Sequence, residues 1–368
     1  MAVINYKTLN TSTDVVSSRT ILHEAIPLTG TIVSGTYGTF PNENNIKNFS
    51  HGMFQSVYDY PYLSSSANQI FDITIGYSAD SSISASAQAM ASNSSGVGLQ
   101  LNRKINMYNQ MSHVLLGITG SSSDIRKFET DLSLDNSDPM KECIFLDFSR
   151  LLTKDQIKKG TVSLTLDTGS WDDTTGVQNG HGSYRTLTDA NASQVGGTSN
   201  TLGGDYGVLL DSNSVGMGVV FYEAGIVCLH TGAFLSSMSG TCISDYYKTP
   251  ELSNLTIDAA FQSSSISGNC DAVRHRIMNL SFNNSVEINS TIYFCRLPTN
   301  LFNYSANPTY LSASQIRVKT LATDDPVAYV TTIGLYNASN ELLAVAKLSE
   351  PLKKDPSNEL TLRVRLDY

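Results

Sequence analysis

The chain is short of charge. Asp, Glu, Lys and Arg supply 15% of its 368 residues, against roughly 25% in an average soluble domain. Ser, Thr, Asn, Gly and Tyr stand in their place, and such surface is easier to strip of water against another protein than Lys or Glu. The composition suits a subunit largely covered by neighbours, and equally a secreted β protein. The charge that remains is negative, formally −9 with a pI near 5.1. No basic cluster exceeds "LKK" or "IKK". Sequence-independent nucleic-acid binding needs a cationic face that releases counterions, so no nucleic-acid partner is expected.

Long apolar runs are missing too. Nothing approaches the roughly 18 consecutive apolar residues of a spanning helix, and "MAVINYKTLNTSTDVV" lacks the layout of a secretory signal. No membrane partner is expected. The five cysteines, Cys143, Cys228, Cys242, Cys270 and Cys295, are far apart, odd in number and set in apolar contexts such as "ECIFL", "GIVCLH" and "IYFCRL". They read as reduced, buried thiols of a chain folded in a cytoplasm. The Asn-x-Ser/Thr triplets at Asn254, Asn279, Asn289 and Asn337 are then products of composition rather than glycosylation sites.

Catalytic signatures are equally scarce. "GMGVVF" lacks the third glycine of a dinucleotide fingerprint, no Gly-Lys-Ser/Thr forms a phosphate loop, and the six histidines make no H-x-x-H or H-E-x-x-H pair. In "DLSLDNSDPMKE", Asp131, Ser133, Asp135 and Glu142 fall at positions one, three, five and twelve of a calcium-loop template. Asn136 stands where that loop needs glycine, and Pro139 sits at position nine. A solvated acidic turn is expected. "NGHGSYR" puts His181 near Ser183, with Asp172, Asp173 and Asp189 close in sequence, but without the nucleophile turn of a hydrolase. Trp171, the only tryptophan, with Tyr184 and Tyr206, either anchors its loop or offers an aromatic contact surface. No catalytic, cofactor-binding or metal-ligating residue is assigned, and no cofactor is expected.

What the sequence does hold is β patterning. Residues 1–35 are polar around "ILHEAIPLTGTIVSGTYG", where Pro27, Gly30, Gly35 and Gly38 break any helix, so an extended arm is expected. Residues 36–140 mix α, β and loop. Within them "GVGLQLNRKINMYNQMSHVLLG" spaces Leu101, Ile105, Tyr108, Met111 and Leu115 three and four apart, with Arg103, Lys104, Asn109 and Gln110 opposite, between Gly98 and Gly117. That is an amphipathic helix. The run before it, "SADSSISASAQAMASNSSG", has too few large apolar groups for a core.

From 141 to 368 a β-sandwich-like domain is expected, with a long Gly/Asn/Thr-rich loop at about 168–205. It opens on "ECIFLDFSRLLTKDQIKKGTVSLTL": a buried strand, a helical turn started by Thr153 and stopped at Gly160, then an alternating strand. Strands follow at "YGVLL", "GMGVVFYEAGIVCLH", "HRIMNLSFNN", "VEINSTIYFCRL", "QIRVKTL", "VAYVTTIGLY", "ELLAVAKL" and "ELTLRVRLDY". Asn283 and Asn284 predict a turn between two of them, and "NASNE" another. The last strand alternates Leu360, Leu362, Val364, Leu366 and Tyr368 with Thr361, Arg363, Arg365 and Asp367. It reads as the final rung of a meander begun at "VAYVTTIGLY", or alternatively as a strand donated to a neighbour. The fold class is therefore mainly β with minor α: an antiparallel β-sandwich or jelly-roll-like core with a helical, loop-rich N-terminal part.

"SRTILHEAIPLTGTIVSGTYG", "FSHGMFQSVYDYPYLSSSANQIFDITIGYS", "CIFLDFSRLLTKDQIKKG" and "TTIGLYNASNELLAVAKLSEPLKKDPSNELTLRVRLDY" together resemble virion structural proteins of tailed bacteriophages, especially marine and cyanobacterial ones. The resemblance implies a non-enzymatic neck, tail or baseplate component without cofactor, assembled in host cytoplasm as a ring or wedge of identical subunits among other virion proteins. A peripheral receptor- or carbohydrate-binding module, using Trp171, Tyr184 and His181, is the alternative.

Overall fold

A computed structural model describes residues 6–28, 43–84, 100–119, 125–168, 184–234, 257–305, 308–312, 315–317, 319, 321 and 323–368. They are mainly β. In chain order the first strands are β1 (Val15–Pro27), β2 (Ile46–Asn48), β3 (Gln55–Tyr58), β4 (Gln69–Tyr77), β5 (Phe128–Glu129), β6 (Pro139–Met140), β7 (Glu142–Phe148), β8 (Gln156–Ile157), β9 (Ser163–Asp167) and β10 (Tyr184–Thr188). Then come β11 (Ser199–Thr201), β12 (Gly204–Leu210), β13 (Gly216–Phe221), β14 (Ile226–His230), β15 (Ile277–Leu297), β16 (Leu311–Ser312), β17 (Gln315–Ile316), β18 (Ala328–Tyr336), β19 (Leu342–Lys354) and β20 (Leu360–Asp367). The helices are α1 (Leu101–Leu115), α2 (Arg150–Thr153), α3 (Ile257–Ser263) and α4 (Ile266–Arg276). The chain divides into two compact units, Leu22–Val286 and Met1–Ile21 with Glu287–Tyr368. The division falls within β1 and β15.

In the unit Leu22–Val286 the antiparallel sheet runs β15-β9-β10-β12-β13-β14-β7-β4-β3-β2. β4 and β7 pair in register from Phe71↔Phe148 to Tyr77↔Glu142. Phe71, Ile73, Ile75, Ile144, Leu146 and Phe148 share one face with Leu164, Leu166, Leu280 and Phe282 from the far end of the same sheet. The rings of Phe148 and Phe282 lie 5.0 Å apart. The sheet therefore curls until its two ends face each other across one core, which is the sandwich-like arrangement. Ile266, Cys270 and Val273 of α4 join that core.

The opposite face is covered by α1. Gly76 of β4 lets the helix backbone in, since a Cβ there would lie 2.8 Å from Lys104 O and Tyr108 N. Tyr108 donates its hydroxyl to Met140 O at 2.8 Å and packs edge-on to Phe128, ring centroids 5.6 Å apart. Helix and limits agree with the spacing of Leu101, Tyr108 and Leu115. Lys104, placed by that spacing on the polar face, is instead fully buried. Its Nζ donates to Phe261 O and Ser264 O, each at 2.6 Å, satisfying carbonyls at the end of α3 that lack an intrahelical donor.

Three expected features differ. The helical turn opens at Ser149, whose carbonyl accepts from Leu152 N and Thr153 N; Thr153 closes it and is buried against Gly225. Asn283 and Asn284 make no turn, because β15 runs through them for 21 residues. Asn284 is buried, accepts from Glu24 N at 3.1 Å and donates to Leu152 O at 2.8 Å, so its amide holds neighbouring segments instead of bending its own. Within 168–205, residues 169–183 lie outside those described, while 184–188 form β10 in full register with β9. One buried apolar residue, Leu187, gave that strand too little pattern to see.

In the other unit, β20 pairs with β15 from Ser290↔Asp367 to Leu297↔Leu360, and Leu360, Leu362, Val364 and Leu366 turn inward as their alternation predicts. β1 lies along the opposite side of β15, where Phe294 N donates to Asp14 O at 2.8 Å and Ser17 Oγ meets Thr291 Oγ1 at 3.2 Å. The meander is corrected: among the described residues β18 and β19 pair only with each other. The turn between them is as expected, with Asn337 Oδ1 accepting from Ser339 N and Glu341 N, both at 2.9 Å, and Asn340 at positive φ. Buried Lys354 redirects the chain at the end of β19. Its Nζ donates to Asn303 Oδ1 at 2.6 Å and ties it to the turn that follows β15, which brings β20 to β15.

Lys104→Met keeps the stem and removes the donor, leaving two buried carbonyls short. Urea unfolding is expected to show a loss of about 2–3 kcal/mol; a change under about 0.5 kcal/mol would show that the ammonium contributes no net stability.

Candidate functional site

The acidic segment of the calcium template is a loop between β5 and β6. Asp131 Oδ1 accepts from Ser133 N at 2.9 Å and Asp135 Oδ1 from Ser137 N at 2.9 Å, so each carboxylate closes its own turn. The bonds to Ser137 hold the Asp135 carboxyl below its ordinary range. Glu142 stands apart on β7 and accepts from Ser81 Oγ. Among the described residues no group of three or more His, Cys, Asp or Glu side chains could hold a metal ion.

Trp171, Asp172, Asp173, His181, Ser183 and Cys242 lie outside the described residues. Asp189 is fully buried and accepts from Gly160 N, Val162 N and Tyr222 OH at 2.8, 2.8 and 2.9 Å, fastening the β8–β9 connection to the end of β10. Tyr206 is core, stacked obliquely on Phe221 at 5.5 Å, whereas Tyr184 is half exposed at the start of β10. The glycines of "GMGVVF" serve packing: a Cβ at Gly216 would lie 2.1 Å from Thr130 O, and one at Gly218 2.5 Å from Cys228 O. The four described cysteines are free thiols, with Cys143, Cys228 and Cys270 buried.

Two polar arrangements arise from register and packing, which spacing cannot report. Arg274 of α4, fully buried, lies 3.0 Å from Glu43 and 3.2 Å from Asp271. Gln55 links this group to the sheet edge, donating to Asp271 at 2.8 Å and to Asn48 at 2.7 Å. Burial raises the Asp271 carboxyl, with Arg274 opposing the shift. The second arrangement is a carboxylate pair, Asp72 on β4 directly opposite Asp147 on β7. Ser56 Oγ and Gln69 Nε2 donate to Asp72 at 2.5 and 2.6 Å. Burial, with the charge of Asp72 second, pushes Asp147 up to about 6. The pair can hold a proton near neutrality.

The most unusual surface is the β18–β19 hairpin. Tyr329, Tyr336, Leu342, Leu343 and Val345 are about half or more exposed on it. Ile333 and Leu335, opposite Ala346 and Ala344, form its better-covered face. Two-stranded ribbons are marginal alone in water and gain stability when their apolar faces are covered.

Comparison with protein families, with curated proteins and with solved structures finds no match. No helix among the described residues is long and apolar enough to cross a membrane.

Asp147→Asn removes the cost of burying a charged carboxylate and, second to it, the repulsion from Asp72. Because the folded-state pKa of Asp147 is raised, wild-type stability falls as pH rises through about 6. The variant should be more stable than wild type at pH 8, by on the order of 1–2 kcal/mol after allowance for solvent reaching the half-buried group. The advantage should vanish by pH 4, and thermal melts across that range read it directly. A difference independent of pH would exclude the pair as its source.

Proposed function

We propose that this chain is a non-enzymatic structural subunit of a bacteriophage particle, closing into a ring or wedge of the tail, baseplate or neck through contacts between copies and with other virion proteins. The observation that carries this reading is the β18–β19 hairpin. It presents Tyr329, Tyr336, Leu342, Leu343 and Val345 to solvent while pairing with no other strand among the described residues. Exposed aromatic and aliphatic side chains gathered on one ribbon mark a surface that another protein covers. A chain with 15% charged residues loses less in desolvating its surroundings than a typical soluble domain would. The resemblance to tailed-phage virion proteins supplies the setting.

Light scattering of the purified chain should show a closed oligomer, and cryo-electron microscopy of assembled particles should place it in a ring. Leu343→Ser with Val345→Ser should weaken association at least about tenfold while leaving the melting temperature of the monomer within a few degrees. Unassociated monomers at every concentration and within particles would overturn the reading. Binding to host cells or glycans without self-association would instead favour the peripheral receptor- or carbohydrate-binding role.

A further inference from the structure

In the unit that holds the chain's first and last strands, β15 is flanked by β1 on one side and β20 on the other. Among the described residues no strand pairs with the far side of either. β1 is an edge of unusual length, 13 residues, and ten in succession, Val16–Ala25, are exposed. Natural edges of this kind are blunted by proline, lysine, bulges or brevity. β1 has proline only at its last position and no lysine, whereas the edge strand β2 is three residues long and carries Lys47.

The direction of the free backbone groups follows from the pairing. Asp14 O and Leu28 N bond toward β15, so Ser17, Arg19 and Ile21 of β1 aim their N–H and C=O groups outward. On β20, Tyr368 exchanges both backbone bonds with Asn289, so Thr361, Arg363 and Arg365 point away from β15. The partner chemistry these rows ask for is an extended strand.

We infer that the β20 edge of one copy pairs with the β1 edge of the next, continuing the sheet from subunit to subunit. This rests on the assembly reading above and names its interface. β1 and β20 both run antiparallel to β15, so they run in the same direction and the new pairing is parallel. One such contact uses both free edges of every copy. A β1–β1 contact about a twofold axis would leave every β20 edge open. Heterologous contacts of this kind generate rings when their rotation closes.

Two edge-blocking variants of the full chain test this. Ile21→Pro removes an outward donor from β1, and Arg363→Pro one from β20, at edge positions where proline is tolerated. Each variant alone should be monomeric by light scattering. Mixed in equal amounts, they should form a heterodimer and nothing larger, since one intact β20 edge meets one intact β1 edge. In the unmodified oligomer the amides of Ser17, Arg19, Ile21, Thr361, Arg363 and Arg365 should exchange at least about 100-fold more slowly than in the dilute monomer. That measurement decides the matter if a proline variant fails to fold. Variants that assemble like wild type, or unprotected edge amides in the oligomer, would overturn the edge pairing and leave the assembly reading standing with its interface elsewhere. Dimers of Ile21→Pro alone would overturn the heterologous arrangement. A wild type that never associates would remove both proposals.

Discussion

The backbone of β15 imposes the constraint from which most of the architecture follows. A strand running from Ile277 to Leu297 presents donors and acceptors along both sides, and buried ones must be paired. β9 and β8 serve its first half, and β20 serves its second from Ser290 to Leu297. β1 runs along it as well. Phe282, on the first half, meets Phe148 across the core and fixes how far the sheet curls. Asn284 adds side-chain bonds to β1 and to the end of α2.

The regular parts of this fold could be read from the chain because they obey a local period. α1 shows its limits in the spacing of Leu101, Tyr108 and Leu115, and β20 shows its inward face in the alternation from Leu360 to Leu366. The failures share one cause. Asn283–Asn284 has turn composition, but the partners waiting at Ile157, Glu24 and Leu152 outweigh that preference. Lys104 looks solvated until the end of α3, about 160 residues away, supplies its acceptors. β10 has a single buried apolar residue and owes its place to β9.

The polar groups of interest were hidden for a related reason. Asp72 and Asp147 become neighbours only through the β4–β7 register, and Arg274, Glu43 and Asp271 only through the docking of α4. The acids that did stand out, Asp131 and Asp135, close their own turns. A cluster in sequence spreads its carboxylates along a loop, while strand register brings distant ones together. In a chain with little charge, the informative charges are those that tertiary structure has gathered and partly dried.

The partners of β15 in the smaller unit also set an order of events. Ser17 meets Thr291 across 274 positions of sequence, and Arg365 meets Ser290 across 75. Closing loops of that length is slow, and contacts within Leu22–Val286 can form while synthesis continues. The three-stranded sheet of β1, β15 and β20 waits for residues 360–367 to leave the ribosome. A nascent or truncated chain without them lacks this sheet, so the topology itself delays completion of the smaller unit until β20 has been made.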